Sequence, residues 1–203
     1  WMDCEMTGLE EDKHTIVEIA VIVTDAELNI VAEGPDIVIH HDEGTLSKMN
    51  DWCRETFSKN GLIHRIRASR VEMAEAEEQV LAFLNAHVLE KRAPLAGNSV
   101  YMDRLYMMKY MPRVHAYLHS HLIDVDSISE LAWRWYPQTI ARAPGKKMTH
   151  RALGDIKESI AELKYYREKA IRADCYSPAF VPPADFESKK KKFEKNDRIV
   201  WMD

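Results

Sequence analysis

The chain has 203 residues, of which 28 are Lys or Arg and 33 are Asp or Glu, and its formal charge is −5. With 46% hydrophobic residues, this composition describes a globular domain with a substantial core and excludes collagen-like, low-complexity and wholly disordered chains. The acidic balance argues against a broad electrostatic surface for long nucleic acid, whereas a short nucleic acid bound through metal ions stays open.

The cysteines and the apolar runs indicate the cellular compartment of the protein. Cys4, Cys53 and Cys175 are odd in number and far apart, which favours a reducing compartment over a disulfide framework or a zinc site. No apolar run reaches the ~20 residues of a membrane span. The N-terminal residues carry acids where a leader peptide would carry bases. We therefore expect an intracellular protein without a membrane partner.

The first half of the chain alternates strand patterns with helical patterns. Residues 15–24 are β-branched and nearly all apolar, which is typical of a strand buried on both faces. Residues 36–40 predict its neighbour, after a polar turn at 25–29. Apolar residues recur at helical spacing over 45–57 and again over 71–88, so we expect one amphipathic helix in each range.

The second half continues the alternation. Residues 93–98 predict a short strand, and residues 103–110 predict the helix that follows it. Residues 121–125 predict another buried strand, and the helix after that strand ends at Pro137. Residues 151–171 predict the last helix. This alternation of strands with helices is typical of an α/β layer fold.

Residues 172–203 differ in composition, with Pro182, Pro183 and a lysine run at 189–192. We expect them to be a tail or linker after a domain of residues 1–171. The last six residues, Arg198–Asp203, end in the same Trp-Met-Asp that opens the chain. Three explanations stay open: a permuted chain, a fused duplicate of the first strand, and segments recorded out of their native order.

Four carboxylates and one histidine stand in the order D-x-E, D, H-x4-D. Asp3 and Glu5 are two residues apart, and a strand projects such a pair to one face, where both can bind one cation. Asp103 falls in the first turn of a helix that follows a strand. His150 fits a loop before the last helix, and Asp155 fits that helix's first turn.

Each of these signals alone has an ordinary structural explanation. Asp3 and Glu5 suit a solvated strand end, Asp103 suits a helix N-terminus, and His150 with Asp155 suits a helix cap. Together, hard oxygen ligands suit Mg²⁺ or Mn²⁺. Two such ions can activate water and stabilise the leaving oxygen of a phosphodiester, while a nearby histidine takes the proton.

The chain resembles the oligoribonuclease family, in the DEDDh branch of 3′-to-5′ exonucleases, over residues 1–171. The resemblance lies in the stretches WMDCEMTGL, DWC, PLAGNSVYMD, KYMP, LIDV, RWYP and HRALGDI. It implies an RNase H-like α/β fold with a mixed central sheet flanked by helices, a homodimer, and two Mg²⁺ or Mn²⁺ ions. It also implies hydrolysis of very short RNAs, above all dinucleotides, to 5′-mononucleotides, in the cytoplasm or mitochondria.

The resemblance further implies roles for individual residues. The metal-binding carboxylates would be Asp3, Glu5, Asp103 and Asp155, and His150 would be the general base. Substrate-binding positions would be Leu9 as a wedge between bases, Trp52 as a stacking ring, Ser99 as a substrate contact, and the neighbouring Met6, Thr7, Gly8 and Asn98. From the residues alone, Trp52 suits a core position equally well, and Leu9 suits a core or turn position.

The chain departs from the family at Ser120, His121 and Asp126, where the family has Tyr-Arg and Ser to cap the substrate's 5′-phosphate across the dimer. An aspartate repels a phosphate, so the alternative function is a DEDDh exonuclease acting on longer RNA or DNA 3′ ends. A non-enzymatic RNA-end binding or dimerisation module is a third hypothesis, which the intact acids oppose.

The repeated Trp-Met-Asp leads to a further hypothesis. The first strand of such a fold needs apolar residues ahead of Asp3, where only Trp1 and Met2 stand. We hypothesise that Arg198–Asp203 supplies or completes this strand, in the same chain or a neighbour. Only one of Asp3 and Asp203 could then bind metal, and we expect Asp3, because Glu5 is tethered to it.

Overall fold

A computed structural model describes residues 1–147 and 149–171 of the chain. The strands are β1 (Met2–Met6), β2 (Ile16–Thr24), β3 (Ile30–Val38), β4 (Leu95–Gly97) and β5 (Leu122–Asp124). The helices are α1 (Glu43–Leu46), α2 (Asp51–Lys59), α3 (Leu62–Ala68), α4 (Met73–His87), α5 (Tyr101–Tyr110), α6 (Pro112–Tyr117), α7 (Val125–Trp135), α8 (Pro137–Ile140) and α9 (Ala152–Lys169).

The strands form an antiparallel sheet in the order β1-β2-β3 and a parallel pair, β4-β5. Strand β4 lies beside β1. The two strands approach so closely that a Cβ atom at Gly97 would stand 2.9 Å from the carbonyl oxygen of Met2. Antiparallel and parallel strands flanked by helices confirm the predicted α/β fold. They are divided between two hydrogen-bonded sheets, however, where one mixed sheet was expected.

Strand β2 lies at the centre of the core, as its apolar run predicted. Its residues from Ile16 to Ile22 are all buried. Ile19 packs in the same cluster as Val80 and Leu84 of α4, whereas Ile22 packs in a cluster with residues of α9. Both faces of the strand are therefore covered, and each large apolar side chain buried in this way stabilises the fold by about 1.5–3 kcal/mol.

Several expected boundaries are wrong, each for a local reason. The single helix expected over 45–57 is two helices, because the Asn50 side chain accepts a hydrogen bond from the Cys53 amide at 2.7 Å and so begins α2. Strand β3 begins at Ile30, well before residue 36, because Ile30 pairs with Thr24 across the turn. Pro137 begins the short α8 as well as ending α7. Helices α3 and α6 were not predicted.

The expected tail, 172–203, lies outside the described residues. The hypothesis about Arg198–Asp203 and the choice between Asp3 and Asp203 therefore stay predictions at this point. Within the described part of the chain, no helix has the length and apolar character required to cross a membrane.

Candidate active site

Three of the four predicted carboxylates meet along β1. Asp3 and Glu5 lie in this strand, and Asp103 reaches it because only three residues separate the end of the neighbouring β4 from the start of α5. The Cys4 amide donates a hydrogen bond of 2.8 Å to Oδ1 of Asp103. This bond holds the buried Asp103 carboxylate against the backbone between Asp3 and Glu5.

The start of α9 supplies the fourth carboxylate and the histidine. Asp155 lies in the first turn, where its Oδ2 accepts a hydrogen bond of 3.1 Å from the Arg151 amide. His150 lies in the preceding loop with φ +50°, and its carbonyl accepts a hydrogen bond of 2.9 Å from the Asn60 side chain. Potential ligand atoms of Glu5, His150 and Asp155 all lie within 4.8 Å of one another. Folding thus brings Glu5, from the start of the predicted motif, close to His150 and Asp155 at its end.

The electrostatics of this cluster suit a divalent cation. Burial, with repulsion from Asp155 and Glu18, raises the pKa of Asp3 to about 7. Burial, with repulsion from Asp3 and Asp155, raises the pKa of Glu5 to about 9. Burial also raises the pKa values of Asp103 and Asp155. The four carboxylates therefore resist carrying a negative charge at the same time. A hard divalent cation bound among them would neutralise their combined negative charge.

We expect divalent cations to stabilise the protein more at high pH. Because the folded-state pKa values of Asp3 and Glu5 lie above their unfolded values, the metal-free protein loses stability as the pH rises from about 4 to about 9. A cation replaces the lost protons. Mn²⁺ at a hundredfold excess over its Kd would add about 2.7 kcal/mol, or about 5–10 °C in Tm. Thermal melts with Mn²⁺ or EDTA across this pH range measure the effect, and a Tm gain independent of pH would contradict it.

The two apolar side chains predicted to bind substrate bases are both exposed. Trp52 on α2 is 55% exposed, and its ring meets the His150 ring edge-on at 4.9 Å between centroids. Leu9 is 68% exposed and follows β1 after Thr7 and Gly8. Neither side chain occupies the core position that the residues alone allowed.

The turn before Leu9 is tightly held. The Tyr106 hydroxyl donates to the Gly8 carbonyl at 2.7 Å, and a Cβ atom at Gly8 would stand 2.4 Å from the His14 ring, so only glycine fits. Met6 packs in the main core, and the buried Thr7 hydroxyl accepts from the Thr15 amide at 3.1 Å. The predicted stretch from Met6 to Gly8 is therefore a rigid support that presents Leu9.

The predicted substrate contacts Asn98 and Ser99 are both bound to Asp126. The Ser99 hydroxyl donates to Oδ2 of Asp126 at 2.6 Å, and the Asn98 amide donates to Oδ1 at 2.7 Å. Asp126 is one of the residues at which the chain departs from the family pattern. It brings a negative charge to the Asn98–Ser99 loop.

Sequence reasoning missed one residue of the site, Glu18. It pairs with Glu5 across β1 and β2, and it is fully buried. The Arg151 guanidinium donates to Glu18 at 2.7 Å from Nη2 and at 3.1 Å from Nε. Burial raises the pKa of Glu18, and the contacts with Arg151 offset only part of that rise. The signal in the sequence that could have revealed Glu18 was its position as the single acidic residue within the apolar run of β2.

We expect Glu18→Gln to weaken metal binding without removing a ligand. Glu18 holds Arg151, which lies between His150 and Asp155, so the substitution should loosen the start of α9. The expected losses are about 1–3 kcal/mol of stability and about 10- to 100-fold in Mn²⁺ affinity. Melting and Mn²⁺ titration measure both, with exposed Glu72→Gln as the matched control. Unchanged Mn²⁺ affinity would assign Glu18 to stability alone.

Comparisons with known proteins identify the family. A sequence profile of the exonuclease family RNase_T matches residues 1–163. A probable oligoribonuclease of Caenorhabditis elegans is 54% identical over 168 residues, which cover 83% of this chain and 86% of that protein. The oligoribonuclease of Vibrio cholerae is 49% identical over 172 residues, covering 85% of this chain and 94% of that protein. The chain belongs to the oligoribonuclease family.

This membership confirms the resemblance inferred from the motifs, and with it an exoribonuclease with an exonuclease fold. The oligoribonuclease of Mycolicibacterium paratuberculosis, 50% identical over 174 residues, covers 85% of this chain and 81% of that protein. The matched region contains every predicted site residue from Asp3 to Asp155. An exonuclease of this family depends on divalent metal, and the acidic cluster is where the chain can bind it.

Proposed function

We propose that the chain hydrolyses very short oligoribonucleotides, above all dinucleotides, from the 3′ end to 5′-mononucleotides. The observation that carries this proposal is the cluster of four carboxylates and His150, with the exposed ring of Trp52 against His150. The net charge of −5 supports a short substrate, because a dinucleotide has too few phosphates to require a basic groove.

Asp3, Glu5, Asp103 and Asp155 would bind two Mg²⁺ or Mn²⁺ ions. When bound, such ions lower the pKa of a water molecule and stabilise negative charge on the phosphodiester. His150 would accept a proton from the attacking water at a ring nitrogen, as a histidine can near neutral pH. Asn60 and Trp52 would orient the His150 loop, through the hydrogen bond to its carbonyl and the ring contact.

Trp52 and Leu9 would hold the bases. An exposed indole beside the cluster can stack on any base, which contributes about 1–3 kcal/mol. Leu9 projects from its rigid turn and can separate two adjacent bases. This arrangement recognises the end of a chain without reading its sequence.

We expect Trp52→Ala to raise KM for a diribonucleotide by about 5- to 150-fold, the loss of about 1–3 kcal/mol of stacking. The matched variant Trp52→Phe keeps an aromatic face and should retain most of the binding. Steady-state kinetics of mononucleotide release provide the test. Equal KM values for the two variants would remove the stacking role from Trp52.

The function itself is tested with a 5′-phosphorylated diribonucleotide and a ten-mer of the same composition, in Mn²⁺ or in EDTA. Metal-dependent release of 5′-mononucleotides, faster from the dinucleotide, is the expected result. The second candidate function is a DEDDh exonuclease on longer RNA or DNA 3′ ends, which the Asp126 carboxylate at Ser99 favours by repelling a terminal phosphate. Faster loss of the ten-mer would select it.

We further infer a homodimer through α7. Trp133 and Trp135 on this helix are 55% and 64% exposed, so packing into the chain's own core does not account for them. Exposed aromatic clusters are typical of subunit interfaces. Sedimentation of the wild type and of Trp133→Glu tests the inference, since the variant should be a monomer. We place the activity in the cytoplasm or mitochondria, as the family resemblance implies.

A further inference from the structure

A lysine in the loop that carries His150 is tied to α9. Lys146 lies in this loop, four residues before His150. Its Nζ atom forms an ion pair of 2.5 Å with Oε2 of Glu162, which lies on α9. The Lys146 side chain is 29% exposed, whereas that of Glu162 is 13% exposed. The lysine is therefore the member of the pair that a ligand reaches more easily.

The Glu162 carboxylate is also fixed by other groups. The Tyr166 hydroxyl donates to its Oε1 at 2.6 Å, and the Asn98 side-chain amide donates to its Oε2 at 3.2 Å. Among the described residues, Glu162 is the one carboxylate paired with Lys146. An ammonium group has three donors, so this ion pair leaves two of them for a ligand. Because Glu162 already restricts the Lys146 side chain, a ligand that binds there costs less conformational entropy.

The ion pair lies next to the acidic cluster. Glu162 stands seven residues after Asp155, which is close to two helical turns and places both acids on one face of α9. The Asn98 amide that binds Glu162 directly follows β4, and β4 runs beside β1, where Asp3 lies. Burial raises the pKa values of Asp3 and Asp155, and the positive charge of Lys146 acts against this rise at both. Lys146 thus brings a positive charge to the Asp3 side of the cluster.

The loop is held on both sides, so its two functional side chains keep their relative places. The Lys147 amide donates to the two carboxylate oxygens of Glu158 on α9, at 3.0 and 3.2 Å. On the other side, the Asn60 side chain donates to the His150 carbonyl at 2.9 Å. Lys146 and His150 therefore approach the cluster from one fixed segment.

The proposed reaction requires a positive charge at this place. A phosphodiester is an anion, and its hydrolysis leaves a phosphate monoester with a charge of about −1.5 to −2 at neutral pH. Carboxylates repel such a group. Arg151 is also basic and lies at the start of α9, but its guanidinium is bound to the buried Glu18 through Nε and Nη2. Lys146 has the donors that a phosphate needs.

We propose that Lys146 is a substrate-binding residue whose ammonium group donates to an oxygen of the phosphate that is cleaved. This phosphate remains on the 5′-mononucleotide, so the same contact holds the product. Glu162 is the positioning residue that fixes the ammonium group. The proposal rests on the proposed hydrolysis of short RNAs, and it assigns recognition of the phosphate to Lys146 as recognition of a base is assigned to Trp52.

Calorimetric titration of 5′-AMP into the protein in Mn²⁺ tests this contact, with adenosine as the ligand that lacks a phosphate. Lys146→Met removes the charge and keeps the length of the side chain. It should raise the Kd of 5′-AMP at least tenfold, because a hydrogen bond between charged groups is lost, and leave the Kd of adenosine unchanged. Lys147→Met is the matched control, because Lys147 is exposed and binds Glu158 through its backbone. It should leave both Kd values at those of the wild type.

An unchanged Kd for 5′-AMP in Lys146→Met would overturn the proposal. An equal loss of affinity for 5′-AMP and adenosine would also overturn it, because Lys146 would then support the structure of the site. Glu162 loses its counter-charge in this variant, so Lys146→Met combined with Glu162→Gln, which removes both charges, is measured as well. This double variant should bind 5′-AMP as weakly as the single variant. Wild-type affinity in the double variant would reject the contact even where the single variant does not fold.

Hydrolysis of a diribonucleotide by the wild type is measured in parallel, which separates this proposal from the proposed function. Hydrolysis together with a 5′-AMP affinity that does not depend on Lys146 would reject the contact and keep the function. Absence of hydrolysis together with a 5′-AMP affinity that requires Lys146 would reject the function and keep the contact.

Discussion

Replacing Glu5 by Gln should reduce RNA hydrolysis by about 10³-fold or more, because a charged ligand of the proposed metal site is lost. The same change should raise the Tm of the metal-free protein. Burial, with repulsion from Asp3, Asp155 and Glu18, raises the pKa of Glu5 to about 9. Gln has the same shape without this charge, so the folded state no longer has to keep a proton on residue 5 above the ordinary pKa of a glutamate.

The two effects are measured on the same purified variant, by mononucleotide release in Mn²⁺ and by melting in EDTA at alkaline pH. Glu72→Gln is the matched control, because Glu72 is exposed at the start of α4. It should leave both quantities at the wild-type value. More than a tenth of the activity in Glu5→Gln would remove Glu5 from the site. A fall in the metal-free Tm would contradict the repulsion argument.

Replacing His150 by Asn should reduce kcat by about 10²- to 10⁴-fold, the usual contribution of a general base. Its ring lies within ligand distance of Glu5 and Asp155, so geometry alone allows it to bind metal as well. The two roles differ in a second measurement. A general base can be removed without changing the Tm gain from Mn²⁺, whereas removal of a ligand reduces that gain.

We expect Mn²⁺ to raise the Tm of His150→Asn as much as it raises that of the wild type, while kcat falls. His64→Asn is the control, because His64 is an exposed histidine on α3. If the variant loses both activity and the Mn²⁺ gain, His150 is a ligand and the proton acceptor must be another group. If kcat is unchanged, His150 has neither role.

The sequence alone determined the features that local patterns encode. The apolar run of β2 and the periodic helices α4 and α9 were predictable because burial imposes a period on each element. The acids and His150 could be proposed as one site because their order, spacing and neighbouring residues together resemble one family. None of these signals was decisive when taken alone.

Other features were not predicted from these patterns. The break at Asn50 was not predicted, since apolar spacing continues across it and only the cap hydrogen bond shows where α2 begins. Glu18 was missed because its partners, Glu5 and Arg151, come from β1 and from the start of α9. Its role exists only after two distant segments have packed against β2.

Trp52, a proposed substrate-binding residue, shows the same difference between what the sequence predicts and what the fold decides. Helical spacing placed it on the apolar face of α2, and periodicity does not say which part of that face is covered. In the folded chain the His150 loop meets the ring edge-on and leaves 55% of the residue exposed. The sequence determined which residues have the right chemistry, and the tertiary structure decided which of them are exposed, because exposure depends on what distant segments cover.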